Sequence, residues 1–146
     1  MATHALEIYL QDHLAGSVAG RELAARTVPD LALEIEEDQI MLESLMNELG
    51  IKPTRAKGFA LWVAEKLSRP KQPEGLFALE MLALGIQGKI ALWRALKQVA
   101  DTEPYVAALN LDHLIERAQR QFDEVERERL RKADQLFGGV HVLEYG

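Results

Sequence analysis

Three features of the sequence predict an all-α fold: a bundle of four long helices, arranged as two antiparallel hairpins joined by a long crossover that contains a short helix. Apolar residues recur at helical spacing in four extended segments. Between the second and third lies a connection over residues 51 to 74. Antiparallel neighbours need only a few linking residues, whereas two parallel helices need a link running the length of the bundle, roughly 30 Å. The third segment, Gly75 to Trp93, carries a single ionisable group, Glu80, before Gly88 and is apolar on every face. A helix that is hydrophobic all round belongs inside a structure. One bundle domain over residues 1 to 137 is expected, with a tail at 138 to 146.

The first helix spans about His4 to Arg26, on the stripe Leu6, Leu10, Leu14, Val18 and Leu23. Beside that stripe lie His13, Gly16, Ser17 and Gly20. Each interior glycine costs about 1 kcal/mol of helix propensity, and tight helix packing is the expected return, with a ligand-binding notch as the alternative. Thr27 to Asp30 should break the chain, because proline restricts its predecessor and Asp30 is able to cap the next helix. The second helix then starts near Leu31 with core positions Leu31, Ile35, Gln39, Leu42, Met46 and Leu49. Glu34, Glu36, Glu37 and Asp38 fall in its early turns, where the helix dipole favours negative charge, and Gly50 closes it.

A shorter helix is expected from Thr54 to Ser68 within the crossover, with Phe59, Ala60, Val63 and Leu67 on one side. The central helix runs from about Leu76 to Ala100, and Asp101 to Pro104 make a turn. The last helix, starting at Val106 or Leu111 and ending near Phe137, has the stripe Leu111, Ile115, Ala118, Phe122, Val125, Ala133 and Leu136. Its charge-alternating face reads as solvated. A short echo, Ala5 to Ile8 against Ala78 to Met81, opens the first helix of each hairpin. The tail reads as an extension, not a second domain.

Composition narrows the function classes. The 146 residues carry 23 acidic against 17 basic side chains, a formal charge of -6, which disfavours nucleic acid as a partner. Without cysteine there is no disulfide, thiolate metal site or cysteine nucleophile. The start lacks a basic region followed by an apolar run, and no segment reads as a membrane span, so a cytoplasmic protein is expected. Hydrolase elbows, phosphate-binding glycine loops and His-Glu-x-x-His steps are missing. The Asp-His-Leu triplets at Asp12 and Asp112 are not dyads, since adjacent helical residues point about 100 degrees apart. Trp62, Trp93, Phe59 and Phe77 read as core aromatics.

Within this layout, YLQDHLAGS of the first helix, EIEEDQIMLESLMNELG of the second, ALEMLALG of the central helix and LIERAQ of the last resemble the ferritin-like superfamily. The likeness is to its small bacterial stress-associated members, over about residues 5 to 137. That resemblance implies a carboxylate-bridged metal pair, held by a glutamate from each of two helices and a Glu-x-x-His step from each of the others. Here the steps are Glu36-x-x-Gln39 and Glu116-x-x-Gln119, with glutamine where histidine is expected, and Ser17 stands level with Gln39 on the first helix. Glu80 would complete the set. It lies about 8 Å into its helix, which puts it opposite Val125 and Glu126 rather than Glu116. Arg120 and Arg127 are candidate ion-pair partners for it.

These residues support two functional readings. In the first, the chain is a non-catalytic bundle with a lost or vestigial di-metal site, needing no cofactor and acting as a homo-oligomer or with a protein partner. In the second it binds iron or manganese through Glu36, Glu80 and Glu116, as an oxidase or in metal handling.

Overall fold

The computed structural model describes residues 3–53, 65 and 75–138. Among these, every regular element is helical: α1 (His4–Thr27), α2 (Pro29–Glu48), α3 (Leu76–Lys97), the single turn α4 (Pro104–Ala107) and α5 (Leu111–Ala133), which runs on into a π-helical turn at Asp134–Gly138. The expected crossover helix at 54 to 68, with Phe59 and Trp62, and the tail residues 139–146 lie outside the described residues.

Local chemistry sets the helix ends. Thr3 caps α1 by accepting from the Leu6 amide at 3.2 Å, and Asn110 caps α5 by accepting from the His113 amide at 3.2 Å. Between α1 and α2 only Val28 is non-helical, and Pro29 takes the first helical position, where its missing N–H costs nothing. Asp30 therefore sits inside α2, and no side chain caps that helix. Gly50 and Gly75 adopt φ of 73° and 80°, a left-handed conformation that glycine enters without a Cβ penalty; the first ends α2 and the second starts α3.

Two apolar clusters fix the helix directions. One joins Leu23 and Ala24 of α1 to Leu31 and Ile35 of α2, Leu79, Leu82 and Ile86 of α3, and Val125 of α5. The other joins Leu10 and Leu14 to Leu42, Leu45 and Met46, then Leu92, Trp93 and Leu96, then Leu111 and Leu114. The start of α2 thus meets the start of α3, so these two run parallel, and α1 and α5 run against them. α1 packs on α2 and α3, and α3 on α5. Contacts along α3 and α5 keep one antiparallel register, from Gly75 beside Lys132 to Lys97 bonded at 2.7 Å to Asp112. Each fully buried leucine in these clusters contributes about 1.5–3 kcal/mol.

α3 is not enclosed on every side. Glu80, Leu84, Gln87, Ala91, Arg94 and Gln98, spaced three or four apart, form an exposed stripe. The length and mean hydropathy of α3 would suffice for a membrane span, contrary to the sequence expectation. Its other faces are packed by α1 and α5, which accounts for its leucine content. On α5 the buried line runs through Leu111, Leu114, Ala118, Gln121 and Val125, so Leu114 and Gln121 occupy places expected for Ile115 and Phe122. The difference is a rotation of about one residue, which brings a polar side chain into the core.

Candidate functional site

Between the two apolar clusters the bundle holds a polar layer. On α2, Asp38 comes three residues after Ile35 and four before Leu42, a spacing that turns it inward with them. Lys89 stands in the same relation to Ile86 and Trp93 on α3, and Gln121 to Ala118 and Val125 on α5. Asp38 is 2% exposed, Gln121 1% and the Lys89 side chain 13%.

Hydrogen bonds tie these groups across three helices. The Lys89 ammonium donates to Asp38 Oδ2 at 2.7 Å and to Gln121 Oε1 at 2.5 Å. The Gln121 amide donates to Glu34 Oε1 at 3.0 Å and to Asp38 Oδ2 at 3.2 Å. Arg117 donates to Asp38 Oδ1 at 2.5 Å and to Glu37 Oε2 at 3.0 Å, and its buried Nε has no partner among the described residues. Asp38 is thus the shared acceptor of three donors. Burial pushes the Lys89 ammonium below the ordinary lysine range, against the opposing pull of Asp38. For Arg117 the downward effect of burial is outweighed by its bond to Asp38 and by the charges of Asp38 and Glu37, so its pKa lies above the usual value. A lysine engaged in this way is a hydrogen-bond donor and counter-ion; its lone pair is not free for base chemistry.

Next to this layer, α1 and α3 flank a partly open pocket of about 310 Å³, which Ile35, Asp38 and Leu42 of α2 also line. α1 offers Gly16, Ser17 and Gly20 to it, and α3 offers Gly85, Gly88, Lys89 and Trp93. A Cβ built on Gly16 or Gly20 would meet nothing within 4 Å among the described residues. Among the described residues, then, the expected tight packing is not seen at these two glycines. Trp93 is 1% exposed, and its indole N–H has no acceptor among the described residues. His13 also borders the pocket, edge-on to Tyr9 with ring centroids 4.6 Å apart. Burial lowers its pKa more than Asp12 raises it, which favours the neutral imidazole.

The acidic residues singled out from the sequence lie elsewhere. Glu36 is half-buried with Arg21 at 4.0 Å, Glu116 is exposed on α5, and Glu80 is exposed near the start of α3. Arg129 is the partner of Glu80, at 3.5 Å, in place of Arg120 or Arg127. Arg129 also pairs with Glu126 at 2.8 Å, so Glu80 lies beside Glu126 as its distance along the helix implied. Gln39 is buried and donates to Glu43 at 2.7 Å, while its carbonyl oxygen has no donor among the described residues; Gln119 is exposed. No three Asp, Glu or His side chains among the described residues gather closely enough to share a metal ion.

Asp38, Lys89, Arg117 and Gln121 are not evident as a group from the sequence. The signal it does hold is a repeated spacing, a polar residue three after and four before core apolar residues on three different helices. Comparison with family models, with characterised proteins and with solved structures finds no match to this chain.

Proposed function

We propose that this chain is a non-catalytic bundle of ferritin-like topology, in which a side-chain cation stands in for a metal centre and whose work is association with a second copy of itself or a protein partner. The observation that carries this reading is the Lys89 ammonium, bonded to Asp38 and Gln121 in the middle of the bundle. The parallel run of α2 and α3, which a crossover of the bundle's length must join, supports the topology.

The residues present do not fit a carboxylate-bridged metal pair. Both Glu-x-x-His steps carry glutamine, and the central carboxylate, Asp38, already meets three donors. A divalent ion there would have to compete with an ammonium and a guanidinium for the same oxygens.

Association is supported by the outer face of α2, where Leu33 is 66% and Ile40 54% exposed. They are seven residues apart, the spacing of a coiled-coil seam, and Met41 adjoins Ile40. The test of the metal-free reading is elemental analysis after loading with iron or manganese, alongside Glu80→Gln. The expected outcome is no stoichiometric metal in either protein. Stoichiometric metal that Glu80→Gln loses would overturn the reading in favour of a carboxylate-bound iron or manganese protein. For association, analytical ultracentrifugation should find a multimer that Leu33→Glu with Ile40→Glu converts to monomer.

A further inference from the structure

We infer that the bundle associates with a second copy of itself through unlike surfaces, the acidic outer face of α2 on one copy meeting the basic, apolar end of α5 on the other. The inference rests on the association reading above and deepens it by naming the partner and both faces.

Among the described residues, large apolar side chains are exposed in two groups. Ile8, Leu84 and Tyr105 each stand alone on their own helices, which is ordinary for a protein surface. On α2 the group is Leu33, Ile40 and Met41. At the end of α5, Leu130 is 57% exposed, and Leu136 and Phe137 of the turn that follows are 40% and 64% exposed. Since both groups stay exposed in the single chain, neither covers the other there.

The two groups differ in charge. α2 carries acidic side chains and no basic one. Asp30 and Glu37 are three before and four after Leu33, and Glu43 is three after Ile40. All three are exposed, and at these spacings they border the apolar stripe. α5 ends with the opposite sign. Glu126 and Glu128 are bonded to Arg129 and Arg131, which leaves Arg127 and Lys132 as surplus positive charge at this end of the helix. Arg127 is exposed, lies three residues before Leu130 and forms no ion pair among the described residues.

These charges choose between the possible pairings. Two α2 faces brought together would set acid against acid, and two α5 ends would set one Arg127 against another; association penalises both. α2 against α5 covers both apolar groups and places opposite charges side by side. The contact is then head-to-tail, between surfaces that differ. Each group is only three side chains, so the contact belongs among weak interfaces.

The test is sedimentation velocity on the full chain over a concentration series, with two variants whose folding is checked by circular dichroism. One is Leu33→Glu with Ile40→Glu on α2; the other is Leu130→Glu with Phe137→Glu on α5. All four positions are exposed, so both variants should fold. Each alone should be monomeric. An equimolar mixture should regain a heterodimer, because the intact α5 of the first variant meets the intact α2 of the second. Arg127→Glu should weaken wild-type association several-fold, and added salt should weaken the wild type more than this variant. Self-association of the α5 variant alone would overturn the contact between unlike surfaces and leave association through α2 standing. Two monomeric variants that form no complex on mixing would overturn it as well. A wild type that stays monomeric at every concentration would sink the association reading and this inference together.

Discussion

The bundle contains two groupings of carboxylates and cations built from the same kinds of residue, one in its middle and one at its rim. In the middle, Asp38 is 2% exposed and holds Lys89, Arg117 and Gln121 together across three helices. At the rim, Arg129 sits between Glu80 and Glu126, with the Glu80 side chain half in solvent. The distances overlap, 2.5–3.2 Å in the middle and 2.8–3.5 Å at the rim, so distance alone does not rank them. Burial does: at the rim water replaces a lost partner, and at Asp38, 2% exposed, it has little access.

Removing the shared acceptor should have the largest effect. Asp38→Ala leaves Lys89 and Arg117 buried without their common anion, and should cost about 3–5 kcal/mol in urea unfolding. A loss under about 1 kcal/mol would mean that water reaches the layer. Replacing the layer outright is the complementary change: Asp38→Leu, Lys89→Met, Arg117→Met and Gln121→Leu together should recover most of that loss, since apolar side chains of similar volume carry no desolvation cost. Gln121→Ala is a milder break, because Glu34 is half-buried and Lys89 keeps Asp38; about 1–3 kcal/mol is expected from thermal or urea unfolding.

The pH dependence of Lys89 comes next. Its pKa in the folded chain lies below the usual 10.5, so between the two values the unfolded chain binds the extra proton and stability rises with pH. The contribution is complete above 10.5 and is lost as pH falls through the folded value. The stability difference between wild type and Lys89→Met, measured by urea unfolding, should therefore shift in favour of wild type as pH rises toward 10.5. A difference that does not vary with pH over this range would place Lys89 in water. The smallest effect belongs to the rim, where Arg129→Ala should cost less than about 1 kcal/mol and less still at high salt.

Much of the fold was legible in the sequence because burial of leucines at helical spacing is a strong, local pattern. The stripes of α1 and α2, the glycine closing α2 and the parallel run of α2 and α3 all come from it. The position of Glu80 was legible as well, since 1.5 Å per residue converts directly into a level along the bundle. The polar layer was harder to read. Asp38 lies among Glu34, Glu36 and Glu37, and a run of acids near a helix start has a sufficient explanation in the helix dipole. Lys89 stands just after an apolar stretch and resembles its boundary. What distinguishes both is the identity of their neighbours on other helices, which no single helix encodes. Glu80 showed the reverse: an isolated charge among apolar residues drew attention, yet its face of α3 is the one that meets solvent.

The one-residue corner at Val28 also bears on how the chain folds. With the Val28 amide bonded to Ala24 and its carbonyl accepting from Leu31, the α1–α2 hairpin closes with almost no loop to order. Its contacts are near in sequence and should form early. Lys89 and Gln121, 32 residues apart, pair within the second hairpin. Asp38 joins them across 51 residues and reaches Arg117 across 79, so its bonds complete only when the hairpins dock. Asp38 substitutions should then speed unfolding and leave the refolding rate nearly untouched, a φ-value near zero in a chevron analysis. On that account the buried aspartate sets the lifetime of the folded bundle and has little say in how quickly it assembles.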